Sequence, residues 1–385
     1  MTERHTLWAF LFGNFVIGTG MMLVPGMLDL MARDLAVSVP TAGVLISSAA
    51  VVMGIAAPLL AGFTGAWDRR RLLAGSLWFY AVGHALCAFA PAFAQLVPLR
   101  ALTMLAAAVF TPQAAATLAL LLPAERRAAG ITFIFLGWSV ASVVGLPMAA
   151  WLGAHVGWRE TFGGFAALAA VGALWVGQTV PRGLRGTPLP LSAWQAVARH
   201  PVLLAVLAVT LVSASGQFTI WAYIAPFIGY KLAAGPTLFS ALLVWLGFCG
   251  LVGNVLATRA AARSGPALTV HLANASMAAG LALLPVLGAT VLGYAACSVL
   301  WGLGIFASNS SQQARLAAAA PALAGASIAL NTSMIYLGQA LGTTLGGAVI
   351  AGSGYAPLPL VAAGVLVGAV LLSWRAAWRT ASAAA

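Results

Sequence analysis

The stretch "AWDRRRLLAG", residues 66–75, puts one acid, Asp68, and three bases, Arg69, Arg70 and Arg71, into a single turn. On either side the chain runs apolar for about twenty residues, the length of a helix that crosses the hydrocarbon core of a bilayer. A charged turn between two such runs is what a hairpin of membrane-spanning helices leaves in water. Outward from this turn, long apolar runs and short polar breaks fill the chain.

Of the 385 residues, 62% are hydrophobic and 6% are charged, against roughly 25% charged in an ordinary soluble domain. Six acids and eighteen bases cannot clothe a water-facing surface on a chain of this length, so the sequence describes an integral membrane protein. Apolar runs fall at 7–31, 41–64, 72–92, 95–121, 130–155, 161–180, 202–229, 236–257, 266–286, 288–311, 327–351 and 357–374. These are twelve helical spans, too long and continuous for the alternating strands of a membrane β-barrel. The first run follows Arg4 as a secretory signal would. It is too long for one, and another span follows at once, so it is read as a helix of the mature protein. Cys87, Cys249 and Cys297 lie inside spans without metal or pairing spacing and read as small core residues. No metal or cofactor is expected.

The net charge of +12 raises the question of nucleic acid, and position answers it. With the N-terminus inside, fourteen bases fall on the inner side: Arg4, Arg69, Arg70, Arg71, Arg126, Arg127, Arg182, Arg185, Arg199, Arg259, Arg263, Arg315, Arg375 and Arg379. Three fall outside, Arg33, Arg159 and Lys231, and Arg100 lies within a span. Cytoplasmic loops carry the excess of bases, so both termini are expected in the cytoplasm. The charge then reports topology and contact with anionic lipid headgroups, not nucleic acid.

The longest polar-leaning stretch is "PRGLRGTPLPLSAWQAVARHP", residues 181–201. It divides the spans six and six: an N-terminal bundle at 1–180, a cytoplasmic linker at 181–201 and a C-terminal bundle at 202–385. Within it, "SAWQAVARH" can form a short amphipathic helix. Small residues recur at every fourth position in the fifth span (Gly137, Ala141, Gly145, Ala149, Gly153) and again in the eleventh (Gly338, Gly342, Gly346). Gly145 and Gly338 are 193 residues apart, as are Gly153 and Gly346, and Arg69 and Arg263 are 194 apart. Such spacing lines one helix face with small residues and lets helices approach closely in lipid. Two such faces at the repeat offset point to pseudo-symmetric halves, a common transporter plan.

Four stretches carry a family resemblance over essentially the whole chain. "GFTGAWDRRRLL" (62–73) resembles the cytoplasmic loop motif of the major facilitator superfamily, here with Gly62, Asp68 and the three arginines in compressed form. "RALTML" (100–105) matches an arginine-led motif at Arg100 alone. "GWSVASVVGLPMAAWLG" (137–153), with Gly137, Gly145, Pro147 and Gly153, resembles the Gly-Pro motif of exporters and runs on into "GWRETF" (157–162). "ALNTSMIYLGQALGTTLGG" (329–347) resembles the eleventh helix of the twelve-helix drug:proton antiporter group, and more narrowly of bacterial arabinose or sugar efflux permeases. The resemblance implies an all-α membrane protein of twelve transmembrane helices in two six-helix bundles, the major facilitator fold, acting as a monomer in the inner membrane. It also implies that Asp68 bridges to the opposite half near the start of the eleventh helix and holds the inner gate shut. Arg69 to Arg71 are expected to anchor topology. The second-half copy, "GNVLATRAAARSG" (253–265), has Ala262 where the first half has Asp68, so the gate is expected to be asymmetric.

A transported molecule must meet polar groups inside the bundle. The candidates are Asn14, Gln113, Gln217, Trp221, Tyr223, Asn309, Gln312, Asn331, Tyr336 and Gln339. Each alone is more often an interhelical hydrogen bond. As a set they describe a neutral, partly aromatic cavity suited to an uncharged or amphiphilic small molecule (a drug, a sugar or a metabolite). Polyanions would need several intramembrane bases. Coupling to protons, implied by the resemblance, has three candidates: Asp29 and Arg100, each a few residues inside the outer end of its span, which either pair with each other or serve separately as a helix cap and a base snorkelling to the outer interface, and His84, since histidine is the natural switch near neutral pH. None of the six acids sits at mid-membrane; His271 lies less deep than His84.

The resemblance therefore implies proton-coupled efflux by alternating access, with uptake or uncoupled exchange on the same fold as the alternative. A membrane-embedded enzyme would need clustered acids, histidines or cysteines, which the chain lacks. It also lacks the Gly-rich phosphate loop of an ATP-driven pump.

Overall fold

A backbone in lipid must satisfy its own N–H and C=O groups, so each apolar run closes into a helix. The computed structural model describes residues 3–186 and 191–382. Linker residues 187–190, the outermost residues of the two expected bundles and the side chain of Arg379 lie outside the described residues. Among the described residues twelve helices are long and apolar enough to cross a membrane: α1 Glu3–Asp34, α2 Val39–Thr64, α3 Arg69–Phe89, α4 Phe93–Leu121, α5 Glu125–His155, α6 Trp158–Thr179, α7 Pro201–Trp221, α8 Pro236–Ser264, α9 Pro266–Leu287, α10 Val291–Ala319, α11 Pro321–Ser353 and α12 Leu358–Ala377. Each overlaps one span read from the sequence.

Three departures have local causes. The seventh span, expected at 202–229, ends at Trp221 and resumes as a short helix, Ile224–Leu232. Pro226 has no N–H to return to Ala222, so the helix breaks between them. Helix α4 is interrupted at Met104, one residue after Thr103, whose Oγ1 back-bonds to the Leu99 carbonyl at 2.6 Å. Helix α5 widens to a π-turn over Ala141–Gly145, two residues ahead of Pro147, which likewise cannot bond back to Val143.

The chain divides into two compact units. The first runs from the N-terminus to Ser38 and from Ile55 into the linker; the second holds Val39–Gly54 with the rest of the linker, its helix included, and the chain beyond it. In the first unit α1 packs against α5 and α6, and α3 against α6 and α4. The small face of α5 meets α1: a Cβ on Gly145 would strike Thr19 Oγ1, and one on Gly153 would strike Met27 Sδ. In the second unit α7 packs against α11 and α12, and α10 against α8 and α9. There the small face of α11 meets α7, where a Cβ on Gly342 would strike the Ser215 carbonyl. Each unit thus seats its fifth spanning helix on its first by the same device. The linker helix, Leu191–Ala198, buries Val197 and packs Ala193 and Trp194 among Leu203, Val206, Leu207 and Leu316, as its amphipathic sequence predicts.

Candidate functional site

In the first unit, the turn from α3 to α4 brings His84 and Arg100 together. Both are buried, at 0% and 2% exposure. His84 Nδ1 lies 2.9 Å from the Tyr80 carbonyl, which can only accept, so Nδ1 carries the proton. Nε2 then offers its lone pair to Arg100 Nη1 at 3.3 Å. Arg100 Nη2 donates to the Gly20 and Met21 carbonyls of α1 at 2.8 and 3.2 Å. Its Cζ stands 5.7 Å from the Phe162 ring centroid, within reach of a cation–π attraction. Arg100 Nε is buried without a partner. Among the described residues no carboxylate pairs with this cation.

The expected Asp29–Arg100 pair does not form. Asp29 bonds Arg33 at 3.0 Å, one helical turn on and half exposed. That i,i+4 partner satisfies the acid locally, while Arg100 points inward to α1 and α3.

At the other end of α3, Asp68 caps the helix. Oδ1 accepts from Arg71 N at 3.0 Å and Oδ2 from Gly183 N at 2.6 Å. These bonds, that of Arg71 first, hold its carboxyl below the ordinary carboxylate range against the opposing effect of burial. Both oxygens are thus engaged within the first unit. Arg69, expected to be a topology anchor, is 2% exposed. Its guanidinium bonds Gln113 Oε1 and, at 2.8 Å, the Gly65 carbonyl. Gln113 Nε2 donates to Thr64 Oγ1 at 3.1 Å. Arg71, by contrast, is exposed, and Arg70 is half-buried. A Cβ on Gly62 would meet open space.

Asn14 is fully buried in the first unit, donating to the Ile134 carbonyl at 3.1 Å and accepting from Thr111 at 2.8 Å. In the second unit Asn309, Gln312 and Asn331 come together through Thr210. Thr210 donates to Asn331 Oδ1 at 2.6 Å, Gln312 Nε2 donates to Thr210 Oγ1 at 3.0 Å, and Asn331 Nδ2 donates to Asn309 Oδ1 at 3.2 Å. Trp221 packs edge-on against Trp301. Tyr223 donates to the Thr343 carbonyl at 2.8 Å. Gln217 and Tyr336 are half-buried, and Gln339 is buried. Thr210, Thr111 and Tyr80 escaped the sequence reading because hydroxyls are common in spanning helices and carry no spacing signal. Arg315 escaped as well: it is buried, donating to Ser373 Oγ at 2.8 Å, instead of facing headgroups.

The sequence profile described as Major Facilitator Superfamily matches residues 10–343. The chain is 32% identical over 373 residues to the "Inner membrane transport protein YdhP" of Escherichia coli (strain K12), covering 97% of this chain and 95% of that one. It is also 32% identical over 365 residues to a "Chloramphenicol resistance protein" of Streptomyces lividans, covering 92% of each. Among solved structures, a bacterial homologue of the human lysosomal transporter Spinster superposes with a TM-score of 0.80 at 15% identity, covering 99% of this chain and 98% of that one. A D-xylose-proton symporter gives 0.77 at 17% identity, covering 97% and 98%. At these identities the solved structures speak for the fold.

Proposed function

The chain belongs to the major facilitator superfamily and is a multi-pass membrane transporter, and on that premise we propose that it is a proton-coupled exporter of small neutral or amphiphilic organic molecules. In this reading it is a drug:proton antiporter of the inner membrane, monomeric, with both termini cytoplasmic and bundles at 1–180 and 202–385 joined by the linker 181–201. Its cargo is a drug such as chloramphenicol or a sugar-like metabolite. Identity to the Streptomyces resistance protein across nearly the whole chain supports export and the substrate class.

One observation carries the proton coupling: His84 Nε2 accepts from Arg100. With Nδ1–H committed to the Tyr80 carbonyl, Nε2 is where a proton enters. Nε2 cannot accept from Arg100 and hold a proton at once. Protonation therefore sets two cations against each other and drives Arg100 off His84. Arg100 is also bonded to the Gly20 and Met21 carbonyls, so its displacement acts on α1. An intramembrane cation with no acid partner among the described residues is expensive, and a switching role accounts for its retention.

The substrate meets neutral polar groups of the second unit, Gln217, Asn309, Tyr336 and Gln339, with Trp221 as the aromatic wall. Gln312, Asn331 and Tyr223 shape that surface from behind, and Asn14 and Gln113 stay candidates within the first unit. The test is accumulation of labelled chloramphenicol in cells that express the chain. Expression lowers accumulation, and a protonophore restores it. Lowered accumulation that survives the protonophore refutes proton coupling.

A further inference from the structure

The first residues of the linker, "PRGLRG" (181–186), make contacts that no tether needs. Gly183 N donates to Asp68 Oδ2 at 2.6 Å, and Arg69 N donates to the Leu184 carbonyl at 2.8 Å. Two successive bonds fix both the place and the direction of the segment. They also complete a helix end. The first N–H groups of α3 have no partner within the helix; Asp68 Oδ1 takes that of Arg71, and the linker's Leu184 takes that of Arg69. Two glycines make the fit possible. Gly183 stands at φ +78, a left-handed backbone that most side chains resist. Gly186 lies against the guanidinium, where a Cβ would strike Arg69 Nη2.

We infer that residues 181–186 are an internal ligand of the Asp68–Arg69 turn and a working part of the first unit, with Gly183 and Gly186 as positioning residues that act through Asp68 and Arg69. The segment sets the buried guanidinium against Gln113 and so fixes the polar face of α4. Docking rests on contacts alone and stands apart from the choice of substrate. Only the consequence at Gln113 rests on the transport reading above.

The test uses the full chain, purified into lipid nanodiscs, with no substrate. Trypsin cleavage after Arg182 and Arg185 is timed against cleavage after Arg199, beyond the segment. Cleavage of a docked segment tracks its open population, so Asp68→Ala, Gly183→Val and Gly186→Ala each raise the ratio about tenfold or more. Arg69→Lys removes the atom that faces Gly186 and returns Gly186→Ala toward the wild-type ratio. An unchanged ratio in all three variants, or no rescue by Arg69→Lys, overturns the proposal. If a variant loosens the whole chain, Arg199 opens in parallel, and position 183 decides. A side chain there meets open space, so only backbone conformation matters. Gly183→Asn, tolerant of the left-handed region, keeps protection that Gly183→Val loses. Equal cleavage in the two overturns the proposal.

Discussion

His84 and Arg100 stand equally far in sequence from residue 92, the turn between α3 and α4, and the hairpin brings Nε2 of one within 3.3 Å of Nη1 of the other. Each group limits what the other can do: while Arg100 donates, His84 is neutral. Glutamine at 84 can still accept from Arg100 through its carbonyl but cannot titrate. His84→Gln therefore lowers gradient-driven transport about tenfold or more while substrate exchange without a gradient is retained. Counterflow of labelled against unlabelled chloramphenicol in proteoliposomes reads the second quantity. Asp29→Asn, at a half-exposed pair with Arg33, changes neither.

The three arginines of the opening turn separate by burial. Arg69→Ala removes the partner of Gln113 and leaves Gln113 Oε1 buried without its donor, a cost of about 1–3 kcal/mol. Arg70→Ala and Arg71→Ala remove charges at the helix edge and shift stability by about 0.5 kcal/mol or less. Thermal unfolding of the purified variants ranks them. Transport follows the same order, with Asp68→Asn grouped with Arg69→Ala.

Hydrogen bonds from Arg71 N and Gly183 N hold the Asp68 carboxyl below its ordinary range, with the charges of Arg71 and Arg185 acting in the same direction. A depressed carboxyl contributes its stabilisation fully above the ordinary value of about 4, and loses it as pH falls through the lower, folded value. The linker contact is thus intact at neutral pH and weakens only on acidification below that range. Amide hydrogen exchange at Gly183, followed across pH and corrected for its intrinsic rate, shows protection flat above neutrality and falling in acid. Asp68→Asn abolishes the step.

The small faces of α5 and α11 admit no added volume. Gly145→Val and Gly342→Val each destabilise by about 1–3 kcal/mol. Gly62→Ala points into open space on a helix and stabilises by about 0.5–1 kcal/mol. Thermal shift in detergent separates the two classes by sign.

At the far end of α1, Asp34 accepts from Trp158 Nε1 at 3.0 Å and from Arg159, while Arg159 lies over the Trp158 ring at 4.1 Å. The "GWRETF" stretch is thereby tied to the end of α1. Asp34→Ala leaves Trp158 unbonded and costs about 1 kcal/mol at this partly exposed site. Asp34→Asn keeps the Trp158 bond and loses less, with a smaller dependence on salt.

Span number and the α5 and α11 faces were legible because length and four-residue spacing survive in a lone sequence. Azimuth did not survive. Arg69 and Arg315 read as interfacial bases in sequence, since an arginine at the end of a span looks the same whether its side chain turns inward or outward. The Asp29–Arg100 expectation failed for the same reason, although Arg33 four residues after Asp29 was a visible competitor. The symmetry of His84 and Arg100 about the turn was in the sequence as well and was a better guide than depth alone. The breaks at Ala222 and the π-turn before Pro147 follow from missing proline donors, which a reading by hydropathy passes over.

The central claim, that His84 and Arg100 couple protons to export, is tested most directly by gradient-driven uptake of labelled chloramphenicol into inside-out vesicles, with wild type and His84→Gln side by side. The account predicts uptake that rises with the imposed pH gradient in the wild type and no response to the gradient in His84→Gln. Equal, gradient-dependent uptake in both would contradict it.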